Sequence, residues 1–137
     1  MTSNQSIEAI LAESEREAGR YVWEGTFADY LRIVVQRPAQ SRLSHSLVYE
    51  AITSQGVETT PAGDSVYGLF QGEIFGLERD LDRIVQYFAA SAQRLEVRKR
   101  ILLLLGPPAS GKSSVVDLIK RALEAYTRTD EGAVYAI

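Results

Sequence analysis

Ile101-Leu102-Leu103-Leu104-Leu105-Gly106-Pro107-Pro108-Ala109-Ser110-Gly111-Lys112-Ser113-Ser114 is the stretch on which the fold assignment turns. Its first five residues are apolar without a break, the pattern of a parallel strand whose two faces are both covered by helices. The segment from Gly106 to Ser113 then matches G-x-x-x-x-G-K-[ST] at every fixed position. Val115, Val116, Leu118, Ile119, Ala122 and Leu123 follow with the spacing of a helix that has a broad apolar side. Strand, glycine loop and helix start therefore come in the order that phosphate binding requires.

The chemistry explains why these residue types are needed. A polyphosphate is held best by several donors converging on one point, and backbone N–H groups supply them without ordering long side chains. Gly106 and Gly111 let the main chain turn sharply and approach phosphate oxygens where a Cβ would intrude. The first amides of the following helix are unpaired and lie at the positive end of its dipole, so an anion is favoured there. Lys112 is placed to reach the β- and γ-phosphates as the catalytic cation, and the Ser113 hydroxyl to ligate Mg²⁺. Pro107, Pro108, Ala109, Ser110 and Ser114 complete the nucleotide-binding segment. Ala109 stands where many such loops carry a further glycine, which suits a backbone of negative φ.

The totals bound what surrounds this site. A chain of 137 residues is one domain, or one small domain with part of another. Hydrophobic residues at 45% and charged residues at 24% are those of a soluble globular protein. A net charge of −3 argues against nucleic-acid binding driven by overall charge. The absence of cysteine excludes disulfides and cysteine-based metal sites or nucleophiles. No apolar run approaches the ~18 residues of a membrane span, and the start lacks a basic-then-apolar signal. The expected location is the cytoplasm.

Upstream the pattern is helical. Ile7, Ile10 and Leu11 give a short stripe in a polar start, with Met1 to Ser6 loose. Thr26 and Asp29 form a weak capping box for a helix carrying Phe27, Tyr30, Leu31 and Val34 towards a core and ending before Pro38. Trp23 reads as a hydrophobic anchor on that helix. Residues 41–55 make another helix, with Leu43, Leu47, Val48, Ala51 and Ile52 on one side. The single histidine, His45, lies on it with no second histidine to support a metal. Residues 57–72 are rich in Gly, Pro, Thr and Ser and read as a linker or exposed loop. It divides an N-terminal helical region, 1–56, from a nucleotide-binding region, 73–137. Leu77, Leu81, Ile84, Val85 and Phe88 then mark an amphipathic helix over 77–92. Arg94, Arg98, Lys99 and Arg100 form a solvated basic turn before the apolar run, and Val134 to Ile137 begins a second strand.

The F-G-L-E helix start at Phe75–Glu78, placed ahead of R-I-L-L-L-L-G-P-P-A-S-G-K-S-S, resembles the opening of the AAA+ nucleotide domain. More narrowly, the chain is similar to the front part of PrkA-type serine protein kinases. The similarity rests on F-x-x-[FY]-L at Phe27–Leu31, a helix over Ser44–Ile52, F-G-L-E-R-D-L-D-R-I-V-Q-Y-F, and the phosphate loop. It is strong over 74–126 and looser over 20–73. The resemblance implies an α/β fold: a helical segment, then the beginning of a P-loop NTPase domain with a parallel sheet. It implies ATP and Mg²⁺ as ligands, and Phe75, Gly76 and Leu77 beside the adenine and ribose. A protein substrate and a homo-oligomer are implied for the full-length form, with neither membrane nor nucleic acid as partner.

Gly106, Gly111, Lys112 and Ser113 of the Walker A loop carry over residue by residue, and no other catalytic group does. An acidic Walker B pair, a polar sensor and an arginine finger are required of such domains. None has a place after Ser113, where Asp117, Glu124, Asp130 and Glu131 fall on helix or turn. Two strands also cannot bury one another's faces, so the chain is expected to be the front portion of a longer protein. Two other functions fit the same loop: a small-molecule kinase, and a non-enzymatic interaction module switched by nucleotide.

Overall fold

The computed structural model describes residue 12, residues 23–93 and residues 99–135. The stripe expected at Ile7–Leu11 and the basic residues Arg94 and Arg98 lie outside them. The chain divides into two compact units, Met1–Gln36 with Tyr135–Ile137, and Arg37–Val134.

In the first unit, α1 spans Phe27–Gln36. Its start is built by the expected pair. Thr26 donates to the Asp29 carboxylate through its amide at 2.9 Å and its hydroxyl at 2.6 Å, and the Asp29 amide donates to Thr26 Oγ1 at 3.3 Å. These bonds hold the Asp29 carboxyl below its usual range, with the Arg32 guanidinium adding to the effect. Where the second unit begins, Arg37 is non-helical, as the residue before a proline tends to be, and Pro38 opens a short 3₁₀ turn, Pro38–Ser41. The core-facing stripe expected on α1 is corrected: no residue of α1 is buried, and Phe27 and Leu31 are exposed. Trp23 packs edge-on against Tyr135 at 5.3 Å, and Tyr30 lies 6.2 Å from the same ring, so the anchor is an aromatic cluster.

The second unit holds the core. It contains α2 (Ser44–Thr53), β1 (Val57–Thr59), β2 (Ser65–Tyr67), a 3₁₀ turn (Gly68–Phe70), α3 (Glu78–Ala92) and α4 (Lys112–Thr127). The apolar spacing that predicted each helix puts Ile52 of α2, Leu81, Ile84 and Val85 of α3, and Val115 and Ala122 of α4 into one cluster. α2 lies against both α3 and α4. Its one histidine, His45, is half-buried beside the rings of Tyr87 and Phe88 at 6.2 and 6.3 Å, a packed helix position.

Two expectations are overturned here. Residues 57–72 are not a bare loop. β1 and β2 pair antiparallel with Val57 opposite Tyr67 and Thr59 opposite Ser65, and Tyr67, Leu69 and Phe70 are buried in the core cluster. The reason is apolar burial at the end of the stretch, which outweighs its Gly and Pro content. Gly68 permits the return: a Cβ there would meet the Gln55 carbonyl oxygen at 2.2 Å.

The second correction concerns Ile101–Leu105, which carry no regular secondary structure; the only sheet among the described residues is the β1–β2 pair. A strand is defined by its partner, and none lies alongside among the described residues. Ile101, Leu103 and Leu105 are 91%, 70% and 83% exposed, and only Leu104 packs against the core. Val134 and Tyr135 are likewise in no strand, while Ala136 and Ile137 fall outside the described residues.

Candidate nucleotide site

The loop between Leu105 and α4 is shaped by two left-handed residues. Gly111, the residue before the helix, has φ +80°, as expected of a glycine at a sharp entry. Ala109 has φ +60°, against the negative φ expected of an alanine. The position keeps the geometry of a glycine although it carries a methyl group, and that conformation costs roughly 1–2 kcal/mol. The turn Pro108–Ala109 leads into α4, whose first residue is Lys112.

The Lys112 ammonium folds back over the loop. It donates to the carbonyl oxygens of Gly106 at 2.9 Å and Pro107 at 2.5 Å and to Ser110 Oγ at 2.8 Å. The two ends of the motif are thereby brought onto one cation. A Cβ on Gly106 would stand 3.0 Å from Ser110 Oγ and 3.6 Å from Lys112 Nζ, so a side chain there would crowd the Ser110 hydroxyl under the ammonium. Ser113 and Ser114 are exposed in the first turn of α4, where the free helix amides lie.

The Phe75–Leu77 segment divides. Leu77 adjoins the loop: its Cδ1 lies 3.7 Å from the position of a Gly111 Cβ. With Leu81, Leu104, Gly106, Pro107 and Lys112 it borders a cavity of about 470 Å³ beside the loop. Gly76, at φ +74°, donates its amide to Glu78 Oε1 at 3.0 Å and borders a different cavity. Phe75 is largely exposed and faces neither. Among the described residues no group of three His, Cys, Asp or Glu could hold a metal ion.

Sequence reasoning missed the hairpin. Thr60, Asp64 and Val66 border a cavity of about 520 Å³ together with Gly76, Leu77 and Arg83. The signal was present: V-E-T and S-V-Y are short β-prone runs separated by T-P-A-G-D, a turn containing Pro and Gly.

Residues 25–137 match the PrkA AAA domain. The chain belongs to the PrkA AAA domain family. PrkA relatives support the assignment over most of the length. The chain is 52% identical over 122 residues to the ATP-dependent protease PrkA of Bacillus subtilis (strain 168), covering 88% of this chain and 19% of that protein. It is 42% identical over 52 residues to the serine/threonine kinase YeaG of Escherichia coli (strain K12), covering 38% of this chain and 8% of the relative. A third likeness is to the Lon protease of Clostridioides difficile (strain 630), 32% over 90 residues, covering 65% of this chain and 11% of that one. The chain thus spans about a fifth of the PrkA relative's length. No solved structure matches. Among the described residues no helix is long and apolar enough to cross a membrane.

Proposed function

We propose that this chain is the ATP-binding part of a PrkA-like AAA+ ATPase and serine protein kinase, taking Mg-ATP at Gly106–Ser113. The observation that carries this reading is the convergence of the Lys112 ammonium on both ends of the loop at the N-terminus of α4. The loop amides and helix start bind the phosphates, and Lys112 exchanges its carbonyl partners for phosphate oxygens and offsets their charge. Ser113 would hold Mg²⁺, whose charge would offset that of the phosphates. The acidic and sensor groups of catalysis belong to other parts of the full-length protein. The arginine finger comes from a neighbouring subunit of a homo-oligomer in the cytoplasm.

A second reading has specific support in the names of two relatives, an ATP-dependent protease and a Lon protease. In it the same ATP site powers proteolysis. Full-length protein assayed in parallel for labelled-phosphate transfer to protein, ATP hydrolysis and degradation of an unfolded substrate separates the two. Kinase function predicts transfer; the protease reading predicts hydrolysis coupled to peptide release. Calorimetry tests the shared premise: Lys112→Ala is expected to weaken Mg-ATP binding by tenfold or more, about 1.4 kcal/mol. Retained affinity in that variant removes the assigned contact.

A further inference from the structure

The loop cavity accounts for a triphosphate tail and leaves open what holds the nucleoside. Two cavities adjoin Phe75–Leu77 on its other sides. The one lined by Phe75, Tyr67 and Phe70 is about 150 Å³, well below the ~300 Å³ at which small-molecule sites begin. The one closed by the hairpin turn is about 520 Å³. It shares Leu77, Asp80 and Arg83 with the cavity at the loop, so the two meet along the first turns of α3.

The hairpin side of this cavity is built and polar. Thr60 and Asp64 clasp the turn: the Thr60 amide donates to the Asp64 carbonyl oxygen at 2.9 Å, and the Asp64 amide donates to Thr60 Oγ1 at 3.1 Å. The Asp64 backbone is therefore fixed, while its carboxylate enters no hydrogen bond or ion pair among the described residues. A carboxylate only accepts hydrogen bonds. The half-exposed Asp64 carboxylate can therefore pair with a donor, and a nucleoside offers two kinds, the ribose hydroxyls and the amino group of adenine. Val66 and Leu77 supply apolar surface for the flat base, and Arg83 stands where the two cavities meet.

We infer that the β1–β2 hairpin is the nucleoside-reading wall of the site, with Asp64 as the acceptor that distinguishes a nucleoside triphosphate from a bare polyphosphate. This inference rests on the ATP-binding reading above and adds a specificity determinant to it. The pre-set hairpin turn then meets the nucleoside, and tail and base are recognised by separate pieces of chain.

The test compares Mg-ATP with inorganic tripolyphosphate on the full-length protein, its Asp64→Ala variant and its Asp64→Asn variant. Wild type is expected to prefer ATP. Asp64→Ala is expected to weaken ATP about tenfold, as for loss of a hydrogen bond to a charged group, without weakening tripolyphosphate. Asp64→Asn keeps the size of the side chain and is expected to lose less. If the Asp64 effect vanishes with 2′-deoxy-ATP, ribose is the donor; if it vanishes with inosine triphosphate, the amino group is. Equal weakening of ATP and tripolyphosphate, no change in either, or a wild type without preference overturns the hairpin assignment while leaving the phosphate loop standing. A wild type that takes up neither ligand overturns both.

Discussion

Ala109 is the residue whose backbone and side chain disagree most openly. Its φ of +60° is one that glycine adopts freely and alanine does not. Ala109→Gly removes the conflict in the folded state and adds freedom to the unfolded chain, two effects of opposite sign. The first is the larger, at roughly 1–2 kcal/mol against 0.4–1 kcal/mol. The variant is expected to gain a few tenths to about 1 kcal/mol, read as a small rise in thermal midpoint. Ala109→Val, with its branched carbon, is expected to lose stability by the same measure. A lower midpoint for the glycine variant refutes the strain. Lys112 differs in kind: its bonds to Gly106, Pro107 and Ser110 are made by a flexible stem that can turn to another acceptor without moving the helix.

Between elements, a hydrogen bond from Tyr67 ties the hairpin to α3. Tyr67 donates its phenol to Asp82 Oδ1 at 2.7 Å. Burial, and then the Asp82 carboxylate, push the phenol from its ordinary 10 up to about 12. A proton held more tightly in the folded chain contributes stability below pH 10 and loses it as pH rises through 10 towards 12. The urea midpoint is therefore expected to fall across that window, and Tyr67→Phe to flatten the fall. An unchanged slope in the variant refutes the assignment. The same hairpin marks the limit of what the sequence reveals. α3 was legible because five apolar residues repeat at helical spacing, and the Gly106–Ser113 loop because its letters encode its own local geometry. The hairpin was not, since strands three residues long carry too little alternation to outvote Pro61, Gly63 and their polar neighbours. Ile101–Leu105 failed in the other direction. Its apolar letters describe a surface suited to a sheet, but pairing is a property of a second segment.

At the scale of the molecule, that same run is an exposed apolar surface of the core unit. Ile101, Leu103 and Leu105 offer side chains and unpaired backbone together, which favours contact with other chains. Light scattering is expected to find concentration-dependent association of the 137-residue chain, reduced in Leu103→Lys. Association that the lysine leaves unaltered places the contact elsewhere. A different feature sets how motion at the loop is felt. At the far end of α4 the Tyr126 hydroxyl donates to Glu50 at 3.1 Å, and Arg42 approaches both the Glu50 carboxylate, at 3.2 Å, and the Tyr126 ring. A helix rises about 1.5 Å per residue, so this clasp sits roughly 21 Å from Lys112. A tilt of about 5° at the loop would swing that end by nearly 2 Å, enough to open the clasp. α4 thus joins the phosphate loop at one end to the Tyr126, Glu50 and Arg42 cluster at the other.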